Sequence, residues 1–197
     1  MRRQKRQIII SICLCLVLME GCRHGSAGER PSQWGEPLTL EGVPNFHRLD
    51  DGVYRSAQPR RIGFKQLEKS GFRSIICLRK GIFNDLDAQK ETLLHVHYVP
   101  MASLGGGIRD EDVLEALKLM TSPAEQPCLV HCLHGADRTG IICAAYRMVV
   151  QGWSKEEALR EMREGGYGHH RHWPFFANYI RQLDVDALRR RFNEPRN

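Results

Sequence analysis

One ten-residue stretch constrains the fold of this chain more than any other part of its sequence. Residues 131–140 read His-Cys-Leu-His-Gly-Ala-Asp-Arg-Thr-Gly, and they follow an apolar run at 128–131 that is typical of a buried strand. A longer apolar run at 139–150 has the composition of a buried helix. Where a strand gives way to a helix around a glycine-containing loop, backbone N–H groups and the positive end of the helix dipole converge. The stretch therefore predicts an anion-binding loop at the carboxyl end of a strand.

Two side chains give this loop its chemistry. Cys132 opens the loop and Arg138 closes it. The planar guanidinium of an arginine can bind two oxygens of one phosphate group. The same positive field favours the thiolate form of Cys132 over the thiol. A thiolate nucleophile inside an anion-binding loop is suited to phosphoryl transfer through a phosphocysteine.

The rest of the chain alternates between strand-like and helix-like segments. The predicted strands are 53–54, 74–78, 97–99 and 128–131, and the predicted helices are 60–70, 85–95, 110–120, 139–150, 154–165 and 174–191. Such alternation predicts an α/β fold, and 197 residues suit one main domain. We expect a single compact domain with a mainly parallel central sheet flanked by helices.

The pattern His131-Cys132-x5-Arg138-Thr139 resembles the signature of the cysteine-dependent protein tyrosine and dual-specificity phosphatases. Residues 54–59 (Tyr-Arg-Ser-Ala-Gln-Pro) and 75–79 (Ile-Ile-Cys-Leu-Arg) resemble upstream segments of the compact, atypical dual-specificity branch of bacteria and plants. The resemblance covers about residues 44–183. It implies a dual-specificity phosphatase-like fold and hydrolysis of a phosphomonoester through a phosphocysteine, with no cofactor and no metal.

The resemblance also implies a role for each residue of the loop. Cys132 would be the nucleophile, and Arg138 would hold the phosphoryl group. Thr139 would hydrogen-bond the thiolate and assist its departure, and His131 would orient the loop from behind. The remaining N–H groups would bind the three phosphate oxygens; they belong to Leu133, His134, Gly135, Ala136, Asp137 and Arg138.

The sequence does not decide which aspartate is the general acid. The family uses an aspartate on a loop upstream of the cysteine to protonate the leaving oxygen. Here that loop is 101–112, in which Asp110 is the first candidate and Asp112 the second, although Asp110 could equally serve only as a helix cap. Asp137 is the rival, because phosphatases of the myotubularin type carry an aspartate at this position. The alternative role of Asp137 is to pair with an arginine or with the loop backbone. We favour Asp137 as functionally important without assigning the proton that it moves.

Zinc binding is a weaker interpretation of the same stretch. Cys128, His131, Cys132 and His134 are all residue types that bind zinc. Successive residues of a strand point to opposite faces, however, so His131 would point away from Cys132. The residues at 169, 170 and 172 are also histidines, and we interpret them as a basic edge of the substrate cleft or as an exposed turn. Cys77 is either a small core residue or the partner of Cys132 in a reversible disulfide.

Two other classes of function compete with a phosphatase. One is a catalytically inactive phosphate-binding module on the same fold, but Cys132, Arg138 and Thr139 are all intact. The other is a thiol redox or metal-binding protein, but the sequence after residue 22 contains no Cys-x-x-Cys. The active phosphatase remains the preferred hypothesis.

The beginning of the chain predicts export from a bacterial cytoplasm. A basic segment at 1–6 precedes an apolar run at 8–19, which as a helix would span about 18 Å and is short for the roughly 30 Å of a bilayer core. Residues 1–22 are therefore expected to be an export signal or a lipoprotein leader. Cys22 resembles the lipidated cysteine of the lipoprotein leaders, which would tether the protein to a membrane; ordinary cleavage nearby is the alternative. Residues 23–43 would be a flexible tether, and 44–191 the phosphatase domain of a periplasmic or membrane-anchored lipoprotein.

Charge argues against a nucleic-acid partner. The whole chain has a formal net charge of +6, but without residues 1–22 it has 25 cations and 22 anions, a net charge of +3. So small an excess does not indicate a nucleic-acid-binding surface. The expected partner is a phosphorylated substrate, either a phosphoprotein or a small phosphomonoester.

Overall fold

A central sheet organises the fold. The structure, a computed structural model, describes residues 30–81, 85–102 and 107–195. The described strands form one six-stranded sheet in the order β1-β2-β3-β6-β4-β5. Their bounds are β1 Glu36–Pro37, β2 His47–Arg48, β3 Val53–Ser56, β4 Ser74–Cys77, β5 His95–Tyr98 and β6 Cys128–His131.

The sheet is mainly parallel, as predicted. Strands β3, β6, β4 and β5 run in one direction, and only β1 and β2 pair antiparallel. Every residue of β6 is buried between its neighbours β3 and β4. Because the last residues of β3 and β4 pair with His131, all three strands end at the level where Cys132 begins the loop.

Helices cover both faces of this sheet, which confirms the predicted α/β domain. Alternate strand residues point to opposite faces, so Ile76 and Val130 join one apolar cluster while Ile75 and Leu129 join the other. The larger cluster is built on α4, and the smaller cluster packs under α1 and α2. The helices are α1 Arg61–Lys69, α2 Asp85–Glu91, α3 Asp110–Met120, α4 Asp137–Val149, α5 Lys155–Glu164, α6 Pro174–Gln182 and α7 Val185–Asn193.

Two helix predictions differ from the structure. The segment 174–191 forms two helices instead of one, because Leu183 leaves the helical conformation and the Asp184 carboxylate accepts a hydrogen bond from the Ala187 N–H, 2.9 Å away, to begin α7. Helix α2 ends at Glu91, and the residues predicted to finish it enter β5 at His95. The capping box predicted at Ser154 and Glu157 is present at the start of α5.

The segment 30–43 is part of the domain, where the sequence predicts a flexible tether. Its Trp34 is buried, and its β1 pairs with β2. The Gly35 N–H donates to the buried carboxylate of Glu161 over 2.7 Å, and Arg147 donates to the Gln33 carbonyl over 3.1 Å. The composition near this segment is typical of a tether, and it does not indicate the contacts with Glu161 and Arg147, which lie more than 100 positions further along the chain.

The predicted leader 1–22 and residues 23–29 lie outside the described residues. Across the described ranges, no helix is both long enough and apolar enough to cross a membrane.

Candidate active site

The loop 132–136 connects the central strand β6 to helix α4. Cys132 is buried, with 3 % of its surface exposed, and Arg138 in the first turn of α4 is partly exposed. Leu133 and His134 are exposed to solvent. The structure therefore places the cysteine on the floor of the loop and two exposed side chains at its rim.

The carbonyl groups of this stretch are held by the surrounding chain. They accept hydrogen bonds from three different segments, at distances of 2.7–3.1 Å. The pairs are Leu78 N–H with His131 O, Gln58 N–H with Leu133 O, Asn45 Nδ2 with His134 O, and Arg55 Nη2 with Gly135 O. With its carbonyls bound from outside, the loop keeps one shape before any substrate arrives.

The N–H groups of the same loop remain available. From Leu133 to Arg138, none of them donates a hydrogen bond to an acceptor within the described part of the chain. The positive end of the α4 dipole lies at the same point, and Arg138 Nη1 lies 3.4 Å from the Leu78 carbonyl, which orients its guanidinium. Free donors, a helix N-terminus and a guanidinium beside one buried thiol together form a phosphate site.

Gly135 allows the loop to turn so tightly. Its φ of +69° is a conformation that favours glycine. A Cβ atom there would lie 2.5 Å from the carbonyl carbon and oxygen of Ser56, which is backbone that cannot move aside. The end of β3 therefore supports the loop directly.

Arg55 and Asn45 hold the loop from behind, and sequence reasoning gave neither a role. Arg55 is 1 % exposed, and its guanidinium carbon lies 3.6 Å from the centre of the Tyr167 ring. Asn45, whose φ is +53°, donates to the carbonyls of both His134 and Tyr167 over 2.9 Å. A signal was available for Arg55, since a charged residue within a buried strand needs a specific partner.

Thr139 and His131 flank the buried thiol. Thr139 is fully buried, and its Oγ1 has no hydrogen-bond partner among the described residues. A buried hydroxyl without a partner is costly, and it is available to bind the Cys132 thiolate. His131 is also fully buried, with its Nδ1 3.2 Å from the Cys132 carbonyl oxygen, on the side away from the rim.

Asp137 binds two histidines, not the arginine or loop backbone considered from sequence. Its Oδ2 lies 2.6 Å from His170 Nδ1, and its Oδ1 lies 2.9 Å from His169 Nδ1 and 3.1 Å from the His170 N–H. Burial disfavours the charged carboxylate, but the contacts from His169 and His170 outweigh it, so the pKa of Asp137 lies below its usual value. Asp137 is thus an ionised group that fixes the segment after α5 against the phosphate loop.

The contacts of Asp137 with His169 and His170 place a row of rings, here called the histidine wall, beside the rim of the phosphate loop. The centre of the His170 ring lies 5.4 Å from that of His134, 5.6 Å from that of His172 and 4.8 Å from the Trp173 ring. The His170 side chain is 29 % exposed. The histidines at 169, 170 and 172 therefore stand next to the phosphate loop; the sequence left a basic cleft edge and an exposed turn open for them.

The upstream aspartates have different surroundings. Asp110 is the first residue of α3, and its Oδ1 accepts a hydrogen bond from the Tyr179 hydroxyl over 2.8 Å. Tyr179 on α6 and Ile108, which lies just before α3, also line a cavity of about 430 Å³. Asp112 is buried and forms an ion pair with Arg109, whose Nε lies 3.0 Å from Oδ2. Asp112 is therefore held by a cation, whereas Asp110 is held by a neutral hydroxyl.

The alternative roles of the cysteines and histidines find little support in this geometry. Cys77 pairs in register with His131, so it faces the side of the sheet opposite to Val130 and Cys132. Among the described residues, the side chains at 128, 131, 132 and 134 do not bring three ligand atoms together, nor do those at 169, 170 and 172.

The fold and the loop define a cysteine-dependent phosphatase. The family model of the tyrosine phosphatase family matches residues 42–195, and the chain belongs to this family. The dual specificity protein phosphatase TpbA of Pseudomonas aeruginosa strain UCBPP-PA14 is 31% identical over 186 residues, covering 93% of this chain and 83% of the relative.

Solved structures agree with this assignment. The crystal structure of P. aeruginosa TpbA covers 84% of this chain and 100% of its own, with a TM-score of 0.73 and 31% identity. TpbA has also been solved in complex with phosphotyrosine. The core of the S. cerevisiae PP-IP phosphatase Siw14, bound to citrate, matches with a TM-score of 0.65 and 27% identity, covering 77% of this chain and 93% of its own. The inositol diphosphatase DSP3 of Arabidopsis thaliana is 27% identical over 181 residues, 89% of this chain and 82% of the relative. These similarities confirm the resemblance to the atypical dual-specificity branch.

Proposed function

We propose that this phosphatase hydrolyses phosphotyrosine-type aryl phosphates on proteins, through a phosphocysteine at Cys132. The observation that carries the proposal is the set of N–H groups from Leu133 to Arg138, which surround one buried thiol and donate to no acceptor in the described part of the chain. Leu133 supports an aryl substrate, since its side chain is 43 % exposed at the rim and offers apolar surface to a ring. The loop contains no lysine that would favour a polyanion. The phosphotyrosine complex of TpbA supports the same substrate class.

The loop residues suit the two steps of such a hydrolysis. In the first step the Cys132 thiolate forms a bond to phosphorus while the bond from phosphorus to the substrate oxygen breaks, and that oxygen takes a proton. In the second step water attacks phosphorus, loses a proton, and the Cys132 thiolate leaves. Arg138 and the loop N–H groups bind the phosphoryl oxygens in both steps. The unpartnered Thr139 hydroxyl stabilises the departing thiolate.

Asp137 acts on this reaction by positioning His170. A carboxylate fixed to Nδ1 of an imidazole orients the ring and leaves Nε2 for proton transfer. His170 and Asp110 are therefore the two groups that we propose as proton donor to the leaving oxygen, and Asp137 itself remains ionised.

The test is turnover of an aryl phosphate by the reduced full-length protein, next to Cys132→Ser and Arg138→Lys. We expect no turnover by Cys132→Ser and a loss of roughly 100-fold or more in Arg138→Lys, because an ammonium group cannot reproduce the two parallel hydrogen bonds. A chelator should have no effect. Turnover by Cys132→Ser would overturn the mechanism, and inactive wild-type protein that still binds phosphate would indicate a binding module instead.

The substrate class needs a separate comparison. Phosphotyrosine, phosphoserine and phosphothreonine peptides and an inositol diphosphate should be compared by kcat/KM. A preference for the inositol diphosphate would overturn the aryl substrate while leaving the phosphocysteine chemistry intact.

We also propose that the protein acts outside the cytoplasm of a bacterium, tethered to a membrane through a lipid on Cys22. The basic and apolar segments of 1–22 support this proposal. Labelled fatty acid should be incorporated into the wild-type chain and not into Cys22→Ser. Recovery of the wild-type protein from the cytoplasmic fraction, unlabelled, would contradict both parts.

A further inference from the structure

A second group of polar side chains lies outside the phosphate loop, at the edge strand of the sheet. Among the described residues, His95, His97 and Glu125 are the group in which at least three potential metal ligands converge, with one ligand atom from each lying within 4.8 Å of the others. His95 is the first residue of β5, whereas Cys132 follows the last residue of β6. The strands β5, β4 and β6 are parallel and in register, so His95 lies level with Cys128 and His97 level with Val130. The group therefore lies two strands away from β6 and before the carboxyl ends of the strands, where Cys132 begins the loop.

Strand geometry brings the two imidazoles to one side. Residues two apart on a strand point to the same face, so His95 and His97 project together from the edge strand β5. Glu125 lies in the segment that leads into β6 and reaches across toward them. The Ser74 hydroxyl holds this segment by donating to the Glu125 carbonyl oxygen over 2.8 Å. Three ligand-bearing residues from two separate parts of the chain are thus fixed in one place.

Of the two distances from the Glu125 carboxylate, the one to His95 equals the spacing of two ligands on a tetrahedral zinc ion, and the one to His97 is about 0.4 Å shorter. Glu125 Oε2 lies 2.9 Å from His97 Nε2 and 3.3 Å from His95 Nδ1. Two ligand atoms at about 2.0–2.1 Å from a tetrahedral zinc ion are about 3.3 Å apart. The group offers a carboxylate between two nitrogen ligands. The guanidinium of Arg73 is engaged with the Pro123 carbonyl over 3.1 Å.

We propose that His95, His97 and Glu125 bind a divalent transition-metal ion, zinc by preference. Two imidazoles and a carboxylate suit borderline ions such as Zn²⁺, and a water would complete the coordination. On binding, each imidazole would carry its proton on the ring nitrogen that faces away from the ion. The ion would join the edge strand β5 to the segment before β6. Its role is structural, and it is independent of the phosphatase reaction.

The test is zinc titration of the full-length protein carrying Cys132→Ser, which removes the catalytic thiolate as a competing ligand. We expect one zinc ion per chain, and an affinity reduced roughly tenfold or more by His97→Ala and by Glu125→Gln. Gln89→Ala is the matched control, because Gln89 donates to the Val96 carbonyl between the two histidines without being a ligand. This control should bind zinc as before. Equal affinity in His97→Ala, or no zinc bound, would overturn the site.

A second measurement uses the unmutated ligands, so it remains informative if a variant fails to fold. Cobalt(II) should replace zinc in the Cys132→Ser protein and give the visible absorption of a tetrahedral ion. Its paramagnetic broadening of backbone resonances should be centred on Val96 and Glu125. Broadening centred on the histidine wall at 169–172 would place the metal elsewhere and overturn the assignment.

Discussion

The guanidinium of Arg55 donates a hydrogen bond to the carbonyl oxygen of Gly135 over 2.7 Å, although the two residues are 80 positions apart in the chain. The cation is buried, and the face of the Tyr167 ring lies 3.6 Å from it. A buried charge is tolerated only when such partners replace water. The position of the phosphate loop therefore depends on a cation that never touches the phosphate.

Replacing Arg55 should harm both stability and catalysis. In Arg55→Met the Gly135 carbonyl loses its donor, and we expect the free energy of unfolding to fall by about 2–3 kcal/mol. We expect kcat/KM to fall about 10- to 100-fold, because the loop is no longer held in its productive shape. Urea unfolding and aryl phosphate kinetics measure the two effects. Arg48→Met on the neighbouring strand, where the arginine is exposed, serves as control. Unchanged kcat/KM in Arg55→Met would show that the loop holds its shape unaided.

Two glycines with nearly the same backbone angle should respond differently to alanine. Gly135 and Gly152 have φ of +69° and +74°, but a Cβ at Gly152 meets nothing within 4 Å. Gly152→Ala should therefore cost only about 1 kcal/mol in unfolding free energy and leave kcat unchanged. Gly135→Ala must also displace the backbone of Ser56, so we expect loss of most activity. Comparable kinetics for the two variants would mean that β3 does not support the loop.

The proton donor can be identified from three variants. If His170 donates the proton, His170→Asn removes the basic limb of the pH–rate profile, and Asp137→Asn weakens it by releasing the ring. If Asp110 donates it, that limb disappears in Asp110→Asn alone. The measurement is kcat/KM across pH with an aryl phosphate whose leaving group needs protonation. Retention of the limb in all three variants would exclude these residues as the acid.

His47 should make the domain sensitive to acid. Burial lowers the pKa of His47 from 6.5 to about 4, and its ring packs edge-on against Tyr167. Above pH 6.5 the histidine is neutral whether the chain is folded or unfolded, so stability is complete there. As the pH falls from 6.5 to about 4, only the unfolded chain binds the proton, and about 3 kcal/mol of stability is lost. His47→Phe should flatten this part of the curve, measured by urea unfolding at several pH values. The same slope in His47→Phe would assign it to another group.

Trp34 should contribute to folding if the segment 30–43 belongs to the domain. Its side chain is buried, and the guanidinium carbon of Arg160 on α5 lies 5.6 Å from the ring centre. Trp34→Ala should therefore lower the free energy of unfolding by about 3–5 kcal/mol. Leu93→Ala, in which an 89 % exposed side chain is shortened, should change it by less than about 0.5 kcal/mol. Equal effects would restore the interpretation of 30–43 as a tether.

The sequence predicted those features that depend on neighbours in the chain. The loop from Cys132 to Arg138 lies between a strand and a helix whose patterns are local, so the position of the thiol and the guanidinium followed from spacing. The parallel sheet followed from the alternation of strands and helices. The capping box at Ser154 depends only on Glu157, three residues further along the chain.

Features that depend on distant partners were not predictable in this way. Asp137 finds His170 33 positions later, and no pattern around either residue indicates the pairing. Asn45 reaches the loop across 89 positions. In the same way, the buried carboxylate of Glu161 keeps Gly35 on the domain although the composition near Gly35 is typical of a linker. Pairing over such distances is decided by the packed fold, which a local pattern does not specify.

The phosphate loop divides its tasks between different atoms. Its carbonyl oxygens face the protein and its N–H groups remain for the anion, while the side chains of Leu133 and His134 take part in neither. We expect substitutions at Leu133 and His134 to leave the carbonyl oxygens and the N–H groups of the loop in place. The compound that this loop accepts can therefore change through Leu133 and His134 while the backbone that binds the phosphate stays the same.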